Sequence, residues 1–130
     1  MDNFSMFLTK SGVMQSEKML EIVVKILDEG KANNIKVLDV QGKTSIADYF
    51  VVASGTSERH VKSLADQVVG KLKRHHIQPF GVEGEQGSEW VLVDLGDVVL
   101  HVMLPRTREF YQLEKLWDAD FVADDQTAVH

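Results

Sequence analysis

The stretch SEWVLVDLGDVVLHVM, residues 88–103, constrains the fold more than any other part of the chain. Two runs rich in Val and Leu meet at Gly96 and Asp97, a pair of the kind that closes a two-residue hairpin. The turn sets the register: Leu95 faces Val98, Val93 faces Leu100 and Val91 faces Val102. Side chains alternate along a strand, so these six residues form one aliphatic face, and Trp90, Leu92, Asp94, Val99, His101 and Met103 form the other. The first face is core by composition. The second is mostly apolar yet carries a carboxylate and an imidazole, so it reads as a second core face, a chemical site or a docking surface.

The elements around the hairpin follow from periodicity and caps. Ser16 can cap a helix to about Lys31, with Met19, Leu20, Val23, Ile26 and Leu27 at helical spacing. Two extended runs follow, at 35–40 and 48–54, joined by a link too short for a parallel crossover, so they should pair antiparallel. A second helix is expected from Ser57 to about His75, its apolar stripe made by Val61, Leu64, Ala65, Val68 and Leu72. With the strands before and after it, the one after being that of Trp90, this helix would complete a βαβ unit. After Pro105, TREFYQLEKLW predicts a last helix capped by Thr107. The order αββαββα describes one α/β (α+β) domain, a mixed sheet of four to five strands flanked by helices, spanning 14–120. Residues 1–13 and 121–130 lack a sustained apolar period and are expected to be flexible ends, with Met14 a candidate start.

Composition narrows the function classes. A chain of 130 residues suits one domain, and with no cysteine it has neither a thiolate nucleophile nor a thiolate metal site. No apolar run reaches membrane-spanning length and the N-terminal stretch lacks the pattern of a signal peptide, which points to the cytoplasm and away from membranes. The net charge of −6 argues against a broad phosphate-neutralising surface and against sequence-specific nucleic-acid binding; a basic partner fits better. The one basic run, KLKRHH at 71–76, sits where a helix end favours cations and reads as a solvated terminus.

Three candidate sites each have a plainer reading. SGTSERH, residues 54–60, puts glycine and hydroxyls before a helix start, where free N–H groups can hold a phosphate; the plainer reading is a Gly55 turn and a Thr56 or Ser57 cap. Asp39, Asp48, Asp94 and Asp97 stand in or beside strands, but none forms the same-face pair that Mg²⁺ chemistry needs, so no metal is expected. His101 lies diagonal to Asp94 without a nucleophile beside it, which favours a packed or surface imidazole bonded to Asp94 over a general base. The face itself matches a protein-docking patch, with an aromatic anchor and a few orienting polar groups.

The strings DVQGKTSIADYFVVASGTSERHVKSLADQVV, GVEGE, WVLVDLGDVVLHVM and FYQLEKLW closely resemble the ribosomal silencing factor (RsfS, Iojap) family. The resemblance runs from about Met14 to Trp117. It implies a mixed-sheet fold related to nucleotidyltransferases, no enzymatic activity and no cofactor. It implies binding to the large ribosomal subunit through the ribosomal protein numbered fourteen, obstruction of joining with the small subunit when nutrients are scarce, and a homodimer in isolation. It centres the docking surface on the tryptophan matching Trp90. The hairpin register extends that surface to Leu92, Asp94, His101 and Met103, with Tyr111, Leu113 and Leu116 as further candidates or core residues. The alternative is a nucleotidyltransferase-like or nucleotide-binding protein using the Ser54–Ser57 loop.

Overall fold

A computed structural model describes residues 16–117; both expected flexible ends and Met14 lie outside the described residues. The elements are α1 (Ser16–Glu29), β1 (Asn33–Asp39), β2 (Tyr49–Ser54), α2 (Glu58–Lys73), β3 (Gly81–Glu83), β4 (Trp90–Asp94), β5 (Val98–Met103), α3 (Pro105–Tyr111) and α4 (Leu113–Leu116). The five strands form one mixed sheet in the order β1-β2-β5-β4-β3, the α+β domain with flanking helices that the sequence predicts.

The hairpin forms in the predicted register: Val91 pairs with Val102, Val93 with Leu100, and Leu95 N–H donates to the Val98 carbonyl at 2.9 Å. Gly96 takes φ +89, a left-handed backbone that glycine adopts without steric cost, while Asp97 does not turn positive. The hairpin's turn also anchors its neighbour, because the Asp97 carbonyl accepts from the N–H groups of Asp48 at 2.8 Å and Tyr49 at 3.0 Å.

β1 and β2 are antiparallel, as their short link requires. The βαβ expectation needs one correction. The parallel partner of β2 is β5, with Tyr49 opposite Val98 and Ser54 opposite Met103, and the strand of Trp90 lies beyond β5, antiparallel to it. The crossover through α2 lands first on β3 and β4, then the tight turn brings β5 back into the central slot. A sequence reading that stops at the next strand misses this insertion.

α1 and α2 pack together on the aliphatic face. Val23, Leu27, Val61, Leu64, Val68 and Leu72 meet Val51, Ala53, Val91, Val93, Leu100 and Val102 in one sealed core, all fully buried. Complete burial of an aliphatic side chain is worth about 1.5–3 kcal/mol, so this layer dominates the stability of the domain.

The last helix also departs from expectation. Pro105 occupies its start, where a missing N–H costs nothing and φ is already helical, so the helix begins two residues before Thr107 and Leu104 takes the cap position. Thr107 instead packs inward, 8% exposed, and donates to Glu89 Oε1 at 3.3 Å. The helix breaks at Gln112, whose φ of 49 is left-handed, and α4 follows as a separate short turn. Among the described residues no helix is long and apolar enough to cross a membrane.

Candidate functional site

The second face of the hairpin is asymmetric. β5 is the middle strand and all six of its residues are buried, so Val99, His101 and Met103 lie under cover at 5%, 6% and 0% exposure. On β4, one strand nearer the edge, Trp90, Leu92 and Asp94 remain half-buried. The cover comes from the C-terminal helices: Leu113 and Trp117 pack on the cluster of Leu38, Phe50, Val52, Val99 and Met103, and the Trp117 ring stands edge-on to Phe50 at 5.2 Å. Of the five residues assigned to docking, three therefore reach solvent directly. His101 and Met103 support them from beneath.

His101 holds a specific place in this layer. Its Nδ1 accepts a hydrogen bond from the Trp90 indole Nε1–H at 3.0 Å, and its ring packs edge-on to Phe50 at 5.5 Å. The expected bond to Asp94 is not made: Asp94 Oδ1 accepts from the Gly96 N–H at 2.9 Å, bracing the hairpin turn. Asp39 acts in the same way, accepting from the Gln41 N–H at 3.0 Å. Both aspartates thus do what this side chain does well, bonding the backbone two residues on. Burial alone pushes the His101 imidazole down to about 4, so it is neutral near pH 7.

A polar clamp that the sequence did not announce holds the cover in place. Arg108 of α3 donates from Nε and Nη2 to the two carboxylate oxygens of Glu114 in α4, at 2.8 and 3.1 Å, and from Nη1 to the Ser54 Oγ at 2.9 Å. The guanidinium bonds hold the Glu114 carboxyl below its usual range. Residues six apart point about 120° away from each other on a continuous helix. The left-handed Gln112 folds Glu114 back onto Arg108, so no helical spacing rule could reveal the pair. The exposed residues of this segment form a ridge: Tyr111 lies 5.0 Å from Trp90, and Phe110, 78% exposed, stands edge-on to Tyr111 at 4.9 Å. Leu116 is also half-exposed.

The Ser54–Ser57 loop is committed to internal bonds. The Gly55 N–H donates to the Met103 carbonyl at 3.1 Å and the Thr56 N–H to His60 Nδ1 at 2.9 Å, while Ser57 Oγ caps α2 by accepting from the His60 N–H at 3.1 Å. The His60 Nε2 in turn meets the Gly30 carbonyl at 2.9 Å, tying the end of α1 to the start of α2. Gly55 is needed for closeness, since a Cβ there would stand 2.8 Å from Val61 Cγ2. Ser54 is 2% exposed. Internal bonds thus take up the N–H groups of Gly55 and Thr56. Among the described residues, no three His, Asp or Glu side chains gather as metal ligands.

Comparison with known proteins agrees with this architecture. The family model for "Ribosomal silencing factor during starvation" matches residues 13–130. A ribosomal silencing factor RsfS from Haemophilus influenzae is 40% identical over 99 residues, covering 76% of this chain and 97% of that protein. The mouse protein "Mitochondrial assembly of ribosomal large subunit protein 1" is 39% identical, over 84% of this chain and 49% of its own length. A crystal structure from Chromobacterium violaceum superposes with a TM-score of 0.78 at 42% identity, covering 80% of this chain and 87% of that one. Family model, relatives and fold converge, and the chain belongs to the RsfS family of ribosomal silencing factors.

Proposed function

We propose that this protein represses translation in the cytoplasm by docking on the large ribosomal subunit, through the ribosomal protein numbered fourteen, and sterically blocking the small subunit from joining. The observation that carries the reading is the half-exposed Trp90, flanked by half-exposed Leu92 and Asp94, on a sheet face that α3 and α4 close only in part. Aromatic anchors at the centre of a patch supply most of the energy in protein interfaces. Leu92 and Asp94 lie beside Trp90 on the same strand, and Tyr111 and Phe110 extend the patch along α3. A net charge of −6 favours encounter with a basic ribosomal protein. The mechanism needs occupancy alone, with no bond made or broken, and the names of the bacterial relatives and of the mouse protein support a ribosomal role. In isolation the chain pairs with a second copy, as the family resemblance implies; sedimentation equilibrium tests this.

The test is cosedimentation with purified large subunits, alongside a subunit-joining assay. Trp90→Ala is expected to weaken binding by about 2 kcal/mol, roughly thirtyfold, and to restore joining. Its thermal unfolding should remain cooperative, since the ring is only half-buried. A folded Trp90→Ala protein that binds at full strength would falsify the docking assignment.

A further inference from the structure

Trp90 is held from below as well as displayed. Its single polar atom, Nε1–H, is turned into the protein and satisfied by His101 Nδ1 at 3.0 Å, with the two rings 5.9 Å apart. Tyr111 closes on the ring from α3 at 5.0 Å. An indole has no second polar group, so with the N–H satisfied internally everything it offers to solvent is carbon. His101 is 6% exposed and carried by the central strand of the sheet, between β2 and β4, where neighbouring backbone pairs on both sides fix its position. Accepting through Nδ1 requires that nitrogen to be bare, so the neutral ring carries its proton on Nε2. An imidazolium would set a proton on Nδ1 facing the indole N–H, donor against donor. The surroundings disfavour that form: burial is what holds the ring neutral, with no charged neighbour contributing a resolved influence.

We propose that His101 is a positioning residue for docking, which locks the Trp90 indole in one rotamer with its N–H inward and its carbon edge outward. The proposal rests on the docking reading above. A partner then meets an apolar anchor already in its bound orientation, and neither rotamer freedom nor an indole–water hydrogen bond is lost on association. Immobilising one side chain in advance is worth roughly three- to tenfold in affinity. The inference also explains why a histidine occupies a strand position otherwise lined by valine, leucine and methionine. A leucine would fill the volume, but it would leave the half-buried indole N–H without an acceptor.

The experiment compares His101→Leu, which removes the acceptor at similar volume, with His101→Asn, whose Oδ1 stands where Nδ1 stood. Each is made alone and with Trp90→Phe, which has no N–H to hold. Two readouts are taken: the Trp90 indole N–H resonance, assigned by its loss in Trp90→Phe, and affinity for purified large subunits. His101→Leu is expected to move the resonance towards that of a water-exposed indole and to weaken binding roughly three- to tenfold. His101→Asn should restore most of both, and in the Trp90→Phe background His101→Leu should cost nothing further. The proposal is overturned by an unmoved resonance, by unchanged affinity, or by an equal loss of affinity without the indole N–H. Should His101→Leu fail to fold, His101→Asn decides the matter: a displaced indole with wild-type affinity refutes the role. Failure of the docking reading is seen separately, as full binding by Trp90→Ala while the wild-type Trp90 resonance still reports the His101 bond.

Discussion

The two faces of the β4–β5 hairpin are built from alternate residues of the same sequence, yet they are closed by different means. On one side Val91, Val93, Leu100 and Val102 are sealed by two helices of 14 and 16 residues packed on an aliphatic layer. On the other, α3 and α4 have 7 and 4 residues, break at Gln112, and are fastened by one arginine clamp and the Leu113 and Trp117 side chains. The first closure is cooperative and wholly apolar. The second mixes aromatic rings with buried polar atoms and covers β4 only in part. Stability resides on the first face, and partial exposure on the second.

The comparison breaks most readily if a core truncation on the sealed face proves mild. Leu100 is fully buried in the centre of the sheet beneath both long helices. Leu100→Ala should cost about 2–5 kcal/mol, because the aliphatic layer is too interlocked to collapse around the space left. Urea denaturation measures it. A cost below that of Arg108→Ala would mean the sealed face is not the stabilising one.

The second largest effect is on pH dependence and belongs to the mixed face alone. His101 is held neutral down to about pH 4 in the fold, against 6.5 in an unfolded chain. Between these values the unfolded state binds the extra proton, so stability rises with pH through that window and is lost as pH falls through it. At 1.36 kcal/mol per pH unit the full loss approaches roughly 3 kcal/mol. His101→Leu cannot titrate, so between about pH 7 and pH 4 the wild type should lose that much more stability than the variant. Parallel slopes for the two proteins would show that the imidazole is not held neutral.

How much of this was legible in the sequence differs between the faces for the same reason. Alternation and a Gly-Asp turn determine which residues share a face, and Val91, Val93 and Leu95 could be paired with their partners from local rules alone. Which strand occupies the centre of the sheet is set by non-local pairing. That is why β5, not the strand of Trp90, stands beside β2, and why Met103 lies buried while Trp90 does not. β3 has three residues, too few for a periodic signal. The clamp escaped because its two ends come together only across a left-handed break, and Phe110 fits a core stripe by spacing yet stands exposed.

Third in size is the clamp itself. Arg108→Ala removes the bonds to Glu114 and Ser54, leaving a partly buried carboxylate without its cation and a buried hydroxyl without its donor. Charge-assisted hydrogen bonds of this kind are worth about 1.5–3 kcal/mol. The loss should be local, with hydrogen exchange accelerating in α3 and α4 while α1 and α2 stay protected. Uniform acceleration across all four helices would mean the two closures form one cooperative unit, and the contrast between the faces would fail.

The smallest effect separates the turn from the proposed docking at Asp94, the residue placed to serve both. Its Oδ1 braces Gly96 at the tip of the hairpin, so it serves the fold, while its half-buried carboxylate lies beside Leu92 on the strand proposed for docking. Asp94→Ala removes both functions and should cost about 1 kcal/mol of stability, the ordinary net worth of one hydrogen bond. Asp94→Asn keeps an oxygen at the same position and deletes only the charge, so its stability should match the wild type. If the carboxylate faces a basic partner across the rim of the interface, Asp94→Asn will slow association with large subunits by a few-fold at low salt, and the difference will shrink as ionic strength rises. An equal association rate at every salt concentration would assign Asp94 to the turn alone, and would narrow the docking strand to Trp90 and Leu92.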